Sequence, residues 1–286
     1  DNIKQISNEF IEKNTNFLEL ISEIKINFSN DEVLVPMRHH HDFPNPKVHS
    51  DSTLLLMPAW NPSKNAGVKI VTVSPENGQF NLPSIQGTYI YFDAIKGSIK
   101  AILEAKSLTA KRTAAASALA SSFLSRESSS SLLMIGTGAL SKNLILAHAA
   151  VRPIKNVFVW GRNFDKATAI CRALENENFT ITPIKSIEEK IPEVDIISSA
   201  TLSKNPLVLG NYLKAGQHID LVGAYKKDMR EADDEAITKS TVFIDTFQGG
   251  LKESGDIVIP LQNGTLSVKD IKADLFQLCS NQKKGR

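Results

Sequence analysis

The chain has 286 residues, of which 42% are hydrophobic and 22% charged, and its formal net charge is +2. This length is enough for two domains, and the balanced charge argues against a nucleic-acid-binding protein and against a disordered chain. The two cysteines, Cys171 and Cys279, are far apart and lack the spacing of a zinc site or a disulfide framework. No apolar run reaches the roughly 20 residues that span a bilayer. We therefore expect a cytoplasmic protein without nucleic-acid or membrane partners.

The first third of the chain is predicted to be rich in strands. Residues 3–28 have apolar side chains at helical spacing. A loop rich in His and Pro is predicted from Pro36 to Asp51. The predicted strands are 33–35, 54–57, 68–73, 88–92 and 98–104, with the last two closed into a hairpin through Asp93–Gly97.

The pattern changes at Thr109, which is predicted to cap a helix over 110–124. Helices are predicted at 139–151 and 165–177, and residues 257–278 are predicted to form one strand and one helix. Continuous apolar strands separated by helices indicate a parallel sheet covered on both faces. These strands are predicted at 131–135, 156–160, 194–199, 218–222 and 242–245.

A dinucleotide-binding turn is predicted at Gly136-Thr137-Gly138-Ala139, between the strand 131–135 and the helix that follows. The first glycine allows the tight turn, and the second lets the backbone approach a pyrophosphate at the helix N-terminus. The third glycine of the full fingerprint is replaced by Ser141. A plain strand-to-helix turn is the alternative, but a second strand about 20 residues further on favours the cofactor site.

The fold class that follows is α/β, with a Rossmann-type dinucleotide-binding domain and a strand-rich α+β domain. We predict that the first occupies residues 111–256. The second is predicted at residues 1–110, rejoined by residues 257–286.

The second strand of the predicted dinucleotide domain ends at Trp160-Gly161-Arg162-Asn163. A site that prefers NADH often has an acidic residue there, which binds the ribose hydroxyls. Here Gly161 is followed by Arg162, which would meet a 2′-phosphate, so NADPH is favoured over NADH. The alternative is that Arg162 is an exposed loop arginine.

Three basic residues are candidates for binding an anionic substrate. Capping by Thr109 would place Arg112 in the first turn of a helix, where free N–H groups and a guanidinium favour a carboxylate; the alternative is a surface arginine. Lys69 lies in an apolar strand, facing either solvent or a cleft. Arg38 follows a predicted strand end. The run His39–His41 suggests a metal, but consecutive residues diverge and no matching cluster follows, so we predict no metal site.

Several segments together resemble the ornithine cyclodeaminase/mu-crystallin family, in the family's order from about residue 33 onward. The Lys69 and Arg112 stretches are the most specific of them. The matching stretches are Val35-Pro36-Met37-Arg38, Gly67–Val73, Leu108–Ala115, Gly136–Ala139, Val159–Asn163, Val222-Gly223-Ala224 and Asp228–Glu231.

The resemblance implies a homodimer in which a substrate and dimerisation domain accompanies the dinucleotide domain, with the active site between them. Arg38 and Arg112 match the family's carboxylate-binding arginines, Lys69 matches its active-site lysine, and Thr113 lies in the same substrate-binding stretch. The cofactor residues implied are Gly136, Thr137, Gly138, Ala139, Arg162, Asn163, Ser199, Ala200 and Thr201.

One departure from the family pattern bears on the reaction. In ornithine cyclodeaminases an aspartate handles the substrate amino group, and the matching position here is Tyr225. The pattern is therefore similar to reductases of Δ1-pyrroline-2-carboxylate and other cyclic ketimines, which implies NAD(P)H-dependent reduction of a cyclic imine carboxylate. The alternatives are ornithine cyclodeamination with recycled NAD⁺, NADPH-dependent ligand binding of the mu-crystallin type, and reduction of another imine or oxo acid.

Overall fold

The chain folds into two compact units in the computed structural model, which describes residues 2–286. One unit consists of residues 2–16 and 30–112, and the other of residues 17–29 and 113–286. The boundary after residue 112 lies close to the predicted one at 110. The assignment of residues 257–286 to the first region does not hold, because these residues pack within the second unit.

Residues 2–124 contain six strands and three α-helices. Residues 3–28, expected to be helical throughout, begin with a strand and form two helices that break at Thr15-Asn16. The elements are β1 (Lys4–Ile6), α1 (Asn8–Asn14), α2 (Phe17–Ser29), β2 (His39–Asn45), β3 (Ser50–Asn61), β4 (Asn65–Val73), β5 (Ile85–Asp93), β6 (Ile99–Glu104) and α3 (Ala105–Leu124).

The six strands form one sheet in the order β1-β6-β5-β4-β3-β2. All neighbours are antiparallel except β1 and β6, which are parallel. The predicted hairpin of β5 and β6 is confirmed. Two other expectations are wrong: residues 33–35 contribute only an isolated bridge between Leu34 and Trp60, and the expected loop 36–51 contains the edge strand β2.

Helix α3 begins five residues before the predicted start, so Thr109 lies inside the helix and does not cap it. The start is instead stabilised by Asn8, whose side-chain oxygen accepts a hydrogen bond from the Ser107 N–H at 2.8 Å. The buried Lys111 ammonium donates to the carbonyl oxygens of Glu12 and Thr15 at 3.1 and 2.8 Å. Lys111 therefore satisfies carbonyl groups at the end of α1 and is not available to a substrate.

The second unit contains the alternating strands and helices that the sequence predicts. Its elements after α3 are β7 (Ser131–Ile135), α4 (Ser141–Val151), β8 (Asn156–Trp160), α5 (Phe164–Ala173), β9 (Thr180–Pro183), α6 (Ile187–Lys190), β10 (Ile196–Ser199), β11 (His218–Leu221), α7 (Asp234–Lys239), β12 (Val242–Ile244), α8 (Phe247–Gly250), α9 (Gly255–Asn263), β13 (Ile271–Asp274) and α10 (Leu275–Cys279).

Five of these strands form a parallel sheet in the order β11-β10-β7-β8-β9. The chain leaves β7 towards β8 and β9 and then returns to the other side of β7 with β10. This reversal creates a switch point between β7 and β10, where doubly wound sheets bind ligands at the carboxyl ends of their strands. The predicted Rossmann-type fold is confirmed.

Both faces of this sheet are covered, because successive residues of β7 point into different cores. Leu132 and Met134 belong to a cluster with residues of α3 and α4, and Leu133 and Ile135 belong to a cluster with residues of α6 and α7. All four side chains are fully buried. Continuous apolar strands are required where helices cover both faces.

The C-terminal segment contains an additional helix that the sequence pattern did not indicate. Before the predicted strand and helix, residues 255–263 form α9. Strand β13 pairs with β12 in a separate two-stranded parallel sheet, and α10 packs on α2, where the rings of Phe28 and Phe276 are 4.7 Å apart. Within residues 2–286, no helix combines the length and apolar character needed to cross a membrane.

Candidate active site

Lys69 is a half-buried lysine in the middle of β4. In the sheet it pairs with Met57 on β3 and with Tyr89 on β5. Burial and, to a smaller extent, the nearby positive charge of Arg112 together lower the pKa of its ammonium group to about 8. Two basic groups are therefore close enough to repel each other, an arrangement that an anion would stabilise.

Arg112 is the eighth residue of α3, and its side chain is exposed. Because α3 begins at Ala105, the backbone N–H groups near Arg112 belong to the helix interior. The prediction that first-turn amides help to bind a carboxylate at this position is therefore wrong. Recognition of an anion there would depend on the guanidinium itself, which can donate two parallel hydrogen bonds to a carboxylate.

Tyr89 lies on the same face of the sheet as Lys69. Its ring covers Gly67, since a Cβ built on Gly67 would be 2.1 Å from the Tyr89 hydroxyl oxygen and 2.5 Å from the adjacent ring carbon. Burial raises the pKa of this phenol. Gly67 therefore makes room for an aromatic hydroxyl next to Lys69. Neither Gly67 nor Tyr89 was predicted from the sequence as a site residue.

Arg38 is exposed and precedes β2. The first pair of β2 joins His39 to Leu56, and the next residue of β3, Met57, pairs with Lys69. Arg38 thus lies at the level of Met57, two strands from Lys69, which corresponds to about 10 Å at the usual strand spacing. Thr113 is half-buried and follows Arg112 on α3.

The histidines at positions 39–41 lie on β2 with their side chains exposed. His40 Nε2 is 3.0 Å from the Asp42 carboxylate, and the rings of His39 and His41 meet edge to face on the opposite side of the strand. Residues 2–286 contain no group of three or more His, Cys, Asp or Glu side chains arranged to hold a metal ion.

The glycine turn after β7 has the geometry that a dinucleotide site requires. Gly136 has a φ of +120°, and a Cβ on it would be 2.5 Å from the Ala200 carbonyl oxygen. A Cβ on Gly138 would meet no atom within 4 Å, so the space beside the turn is open. Together with the N-terminus of the 11-residue helix α4, these residues fit a pyrophosphate group.

Ser141 occupies the position of the missing third glycine and is fully buried. Its hydroxyl donates a hydrogen bond to the Gly136 carbonyl oxygen at 2.8 Å. The small side chain therefore allows the close packing of helix and strand, and it also satisfies a carbonyl of the turn.

The end of β8 contributes Gly161, Arg162 and Asn163. A Cβ on Gly161 would be 2.4 Å from the Thr137 methyl group, so this glycine provides space for the turn after β7. Arg162 is exposed. The Asn163 side-chain oxygen caps α5 by accepting hydrogen bonds from the N–H groups of Asp165 and Lys166.

The end of β10, Ser199-Ala200-Thr201, is held by a carboxylate outside the predicted site. Glu231 is fully buried. Its Oε1 accepts hydrogen bonds from the Ser199 hydroxyl at 2.6 Å and from the Thr201 N–H and hydroxyl at 2.7 and 2.8 Å. Its Oε2 accepts from the Gly223 N–H at 2.7 Å. One side chain therefore links the ends of β10 and β11.

A second buried carboxylate, Asp256 at the start of α9, supports Glu231. Its Oδ1 accepts hydrogen bonds from the N–H groups of Glu231 and Ala232 at 2.9 and 3.0 Å. Its Oδ2 is buried without a hydrogen-bond partner in the described part of the chain. Burial raises the pKa of Asp256 to about 6, and the nearby Glu231 charge contributes in the same direction.

A further polar network lies inside the second unit. Asp220 on β11 accepts hydrogen bonds from the hydroxyls of Ser117 and Ser198 at 2.9 and 2.7 Å, and its Oδ2 is 3.0 Å from His148 Nε2. Although burial alone would raise its pKa, His148, His218 and Ser198 hold the pKa of Asp220 below its usual value. This network joins α3 and α4 to the sheet.

Comparison with known proteins agrees with these features. The family model described as the ornithine cyclodeaminase/mu-crystallin family matches residues 4–286. A Schizosaccharomyces pombe protein without an assigned activity is 42% identical over 98% of this chain and 87% of its own length. The Δ1-pyrroline-2-carboxylate reductase of Colwellia psychrerythraea is 34% identical over 97% of this chain and 88% of its own.

A solved structure gives the same result at the level of the fold. The Δ1-pyrroline-2-carboxylate reductase of Thermococcus litoralis, in complex with NADH and L-proline, is 31% identical. It superimposes with a TM-score of 0.91 over 99% of this chain and 88% of the other. The resemblance inferred from the sequence motifs is confirmed, and the chain belongs to the ornithine cyclodeaminase/mu-crystallin family.

Proposed function

We propose that this protein is an NAD(P)H-dependent reductase of a cyclic ketimine carboxylate such as Δ1-pyrroline-2-carboxylate, with a cyclic amino acid such as proline as the product. The observation that carries the proposal is the proximity of Lys69 and Arg112, two cations that a carboxylate would neutralise. The dinucleotide turn at Gly136 and the named activities of the relatives support it.

The substrate carboxylate is held by charge and by hydrogen-bond geometry. The guanidinium of Arg112 donates a pair of parallel hydrogen bonds, and the ammonium of Lys69 adds a compact positive charge. Arg38 provides a second guanidinium from the start of β2. A fixed carboxylate also fixes the adjacent imine carbon, which converts part of the binding energy into orientation.

When bound at the dinucleotide turn, NAD(P)H would supply the hydride that the imine carbon accepts. The nitrogen then needs one proton to complete the amine, so the C=N bond gains one hydride and one proton. An ammonium whose pKa is about 8 is protonated at neutral pH and can release that proton more readily than an ordinary lysine. We assign Lys69 to orient the carboxylate and to assist this protonation.

We also propose that NADPH is preferred to NADH. The end of β8 has Gly161 and Arg162 where an acidic residue would favour NADH, and Arg162 is exposed and free to reach a 2′-phosphate. Replacing Arg162 with Ala should raise the KM for NADPH much more than the KM for NADH. Equal effects on the two cofactors would remove this assignment.

The proposed roles divide between the two units. The first unit holds the substrate carboxylate through Arg38, Lys69 and Arg112, with Thr113 following on the same helix. The second holds the dinucleotide through Gly136–Ala139, Arg162, Asn163 and the β10 end at Ser199, Ala200 and Thr201.

We propose that the first unit also forms a homodimer through the sheet face opposite Lys69. The central strands carry large apolar residues on this face, and none of them is fully buried within a single chain. A second copy packed on this face would bury them. The apolar side chains of this face include Phe43, Leu54, Leu56, Trp60, Val68, Ile70 and Ile90.

Sedimentation measurements test the proposed dimer. Leu56→Lys should shift the protein to a monomer, whereas Phe80→Lys, at an exposed apolar residue outside the sheet, should leave the dimer intact. A wild-type monomer at micromolar concentration would contradict the proposal.

The decisive experiment for the activity follows NADPH oxidation by absorbance after Δ1-pyrroline-2-carboxylate is added to the purified protein. We expect oxidation that depends on the imine acid. Arg112→Ala should abolish most turnover while NADPH binding is retained. No oxidation with NADPH or NADH, in a sample that binds either, would contradict the reductase activity; release of ammonia from ornithine would then identify a cyclodeaminase.

A further inference from the structure

The buried carboxylate of Glu231 joins the carboxyl ends of two neighbouring strands of the parallel sheet, β10 and β11. Its four donors, from Ser199, Thr201 and Gly223, are neutral hydroxyl and backbone N–H groups. A buried charge is expensive unless hydrogen bonds replace the lost water. The hydrogen bonds to the Glu231 carboxylate offset its cost of desolvation, and they also fix the path of the backbone at Thr201 and Gly223.

The ends of β10 and β11 lie on the side of the dinucleotide turn away from β8. β8, whose end meets the adenosine ribose in Rossmann-type sites, is on one side of β7, and β10 and β11 are on the other. Since a dinucleotide extends across the switch point, its nicotinamide half would lie over β10 and β11. The groups that Glu231 holds are therefore on the nicotinamide side.

We propose that Glu231 is a positioning residue for the nicotinamide half of the cofactor. It sets the backbone at Thr201 and Gly223 so that the nicotinamide is held in one orientation. This inference rests on the proposed function only in assuming that the cofactor is a nicotinamide dinucleotide.

The surroundings of Glu231 leave it little freedom. Its own N–H is held by Asp256, and its carbonyl oxygen accepts hydrogen bonds from Leu207 and Val208, both at 2.8 Å. A Cβ on Gly223 would be 2.0 Å from the Thr201 carbonyl oxygen, so the two strand ends are packed in direct contact. A small change at the carboxylate would therefore be transmitted to both ends.

Glu231→Gln tests the role with almost no change in volume. One carboxylate oxygen accepts from the Thr201 N–H and the other from the Gly223 N–H. A glutamine has only one acceptor oxygen, so in either orientation its NH₂ group faces one of these two N–H donors. The variant must release the end of β10 or the end of β11.

A matched control lies at the amino ends of the strands in the same sheet. Asp195 also accepts four hydrogen bonds, from the Ser130 N–H, the Ser131 N–H and hydroxyl, and the Arg126 guanidinium, at 2.7 to 3.1 Å. It precedes β10, whereas Glu231 acts beyond the other end of that strand. Asp195→Asn should therefore lower the stability of the protein, as Glu231→Gln does, but it should leave the carboxyl ends of β10 and β11 unchanged.

The experiment compares binding of the whole cofactor with binding of its adenosine half. The dissociation constants for NADPH and for 2′,5′-ADP, or for NADH and ADP if NADH is preferred, are measured for the wild type and both variants, and kcat is measured with the imine acid. For Glu231→Gln we expect whole-cofactor affinity to fall about ten- to a hundredfold, and kcat to fall with it. Binding of the adenosine half should change less than twofold.

Asp195→Asn should leave both dissociation constants and kcat within about twofold of the wild type. Equal losses for the whole cofactor and its adenosine half in Glu231→Gln, or no loss in either, would overturn the proposal. If Glu231→Gln fails to fold, Thr201→Val, which removes one donor, should show the same selectivity with a smaller effect. The binding comparison needs no turnover, so it separates failure of this role from failure of the reductase activity.

Discussion

The hydroxyl of Tyr89 lies over the α-carbon of Gly67, 2.1 Å from the place where a Cβ would stand. Tyr89 is also the cross-strand partner of Lys69. The space left by a missing side chain thus determines where an aromatic ring lies beside the candidate active-site lysine.

Gly67→Ala should displace the Tyr89 ring, because the clash involves the hydroxyl and two ring carbons. We expect a loss of about 1–3 kcal/mol in the free energy of unfolding, typical of overpacking, and a clear fall in kcat/KM. Chemical denaturation of the two single variants and the double variant with Tyr89→Ala measures the coupling. If Gly67→Ala lowers the free energy of unfolding as much in the Tyr89→Ala background as in the wild type, the clash with Tyr89 is not the cause of the loss.

The pH dependence of turnover should report the Lys69 ammonium. With a pKa of about 8, the group is charged below that pH and loses its proton above it, so kcat/KM should fall as the pH rises through about 8. Lys69→Arg keeps the positive charge at every accessible pH. Its residual activity should lack this fall, and an unchanged profile in the variant would assign the titration to another group.

Lys69→Met should make the protein more stable while it removes activity. The lowered pKa means that the folded state disfavours the charged form, so the charge costs stability below about pH 8 and this cost disappears as the pH rises towards the unfolded value of 10.5. Since Lys69 is only half-buried, solvent screening limits the cost to about 1 kcal/mol. At pH 7 we expect Tm to rise by roughly 2–4 °C; a lower Tm would contradict this.

Asp256→Asn should stabilise the protein only where the aspartate is ionised. The pKa of Asp256 is about 6 in the folded protein, against an ordinary value of 3.8. Ionisation therefore costs stability above pH 6, and this cost vanishes below about pH 4. The Oδ1 acceptor is retained in Asn, so we expect a gain of about 1–3 kcal/mol at pH 7. A gain independent of pH would show that charge is not responsible.

The sequence allowed the parallel sheet to be predicted more closely than the first sheet. β7 and β8 have the predicted bounds because both are short apolar runs between turn residues. β2 was missed because its residues, His39–Asn45, are mostly polar and include Pro44. An edge strand tolerates such a composition, since one side of its backbone needs no partner.

Other differences arise from partners that are distant in the sequence. The start of α3 depends on Asn8, 99 residues before the amide that it caps, so local patterns pointed to Thr109 instead. Lys69 and Arg112 were predicted because they lie in specific family motifs. Glu231 was visible only as part of such a motif, and Asp256 was not singled out at all, because their hydrogen bonds join separate strands and loops.

The hydroxyl of Ser141, bonded to the Gly136 carbonyl, also affects the thermodynamics of cofactor binding. A turn closed by its own hydrogen bond is already ordered in the free protein. The entropy of ordering this turn is therefore lost during folding and not when the dinucleotide arrives, so less of the binding energy is consumed by conformational restriction. A serine at this position is thus a form of preorganisation that a glycine, with no hydroxyl to donate, would not provide.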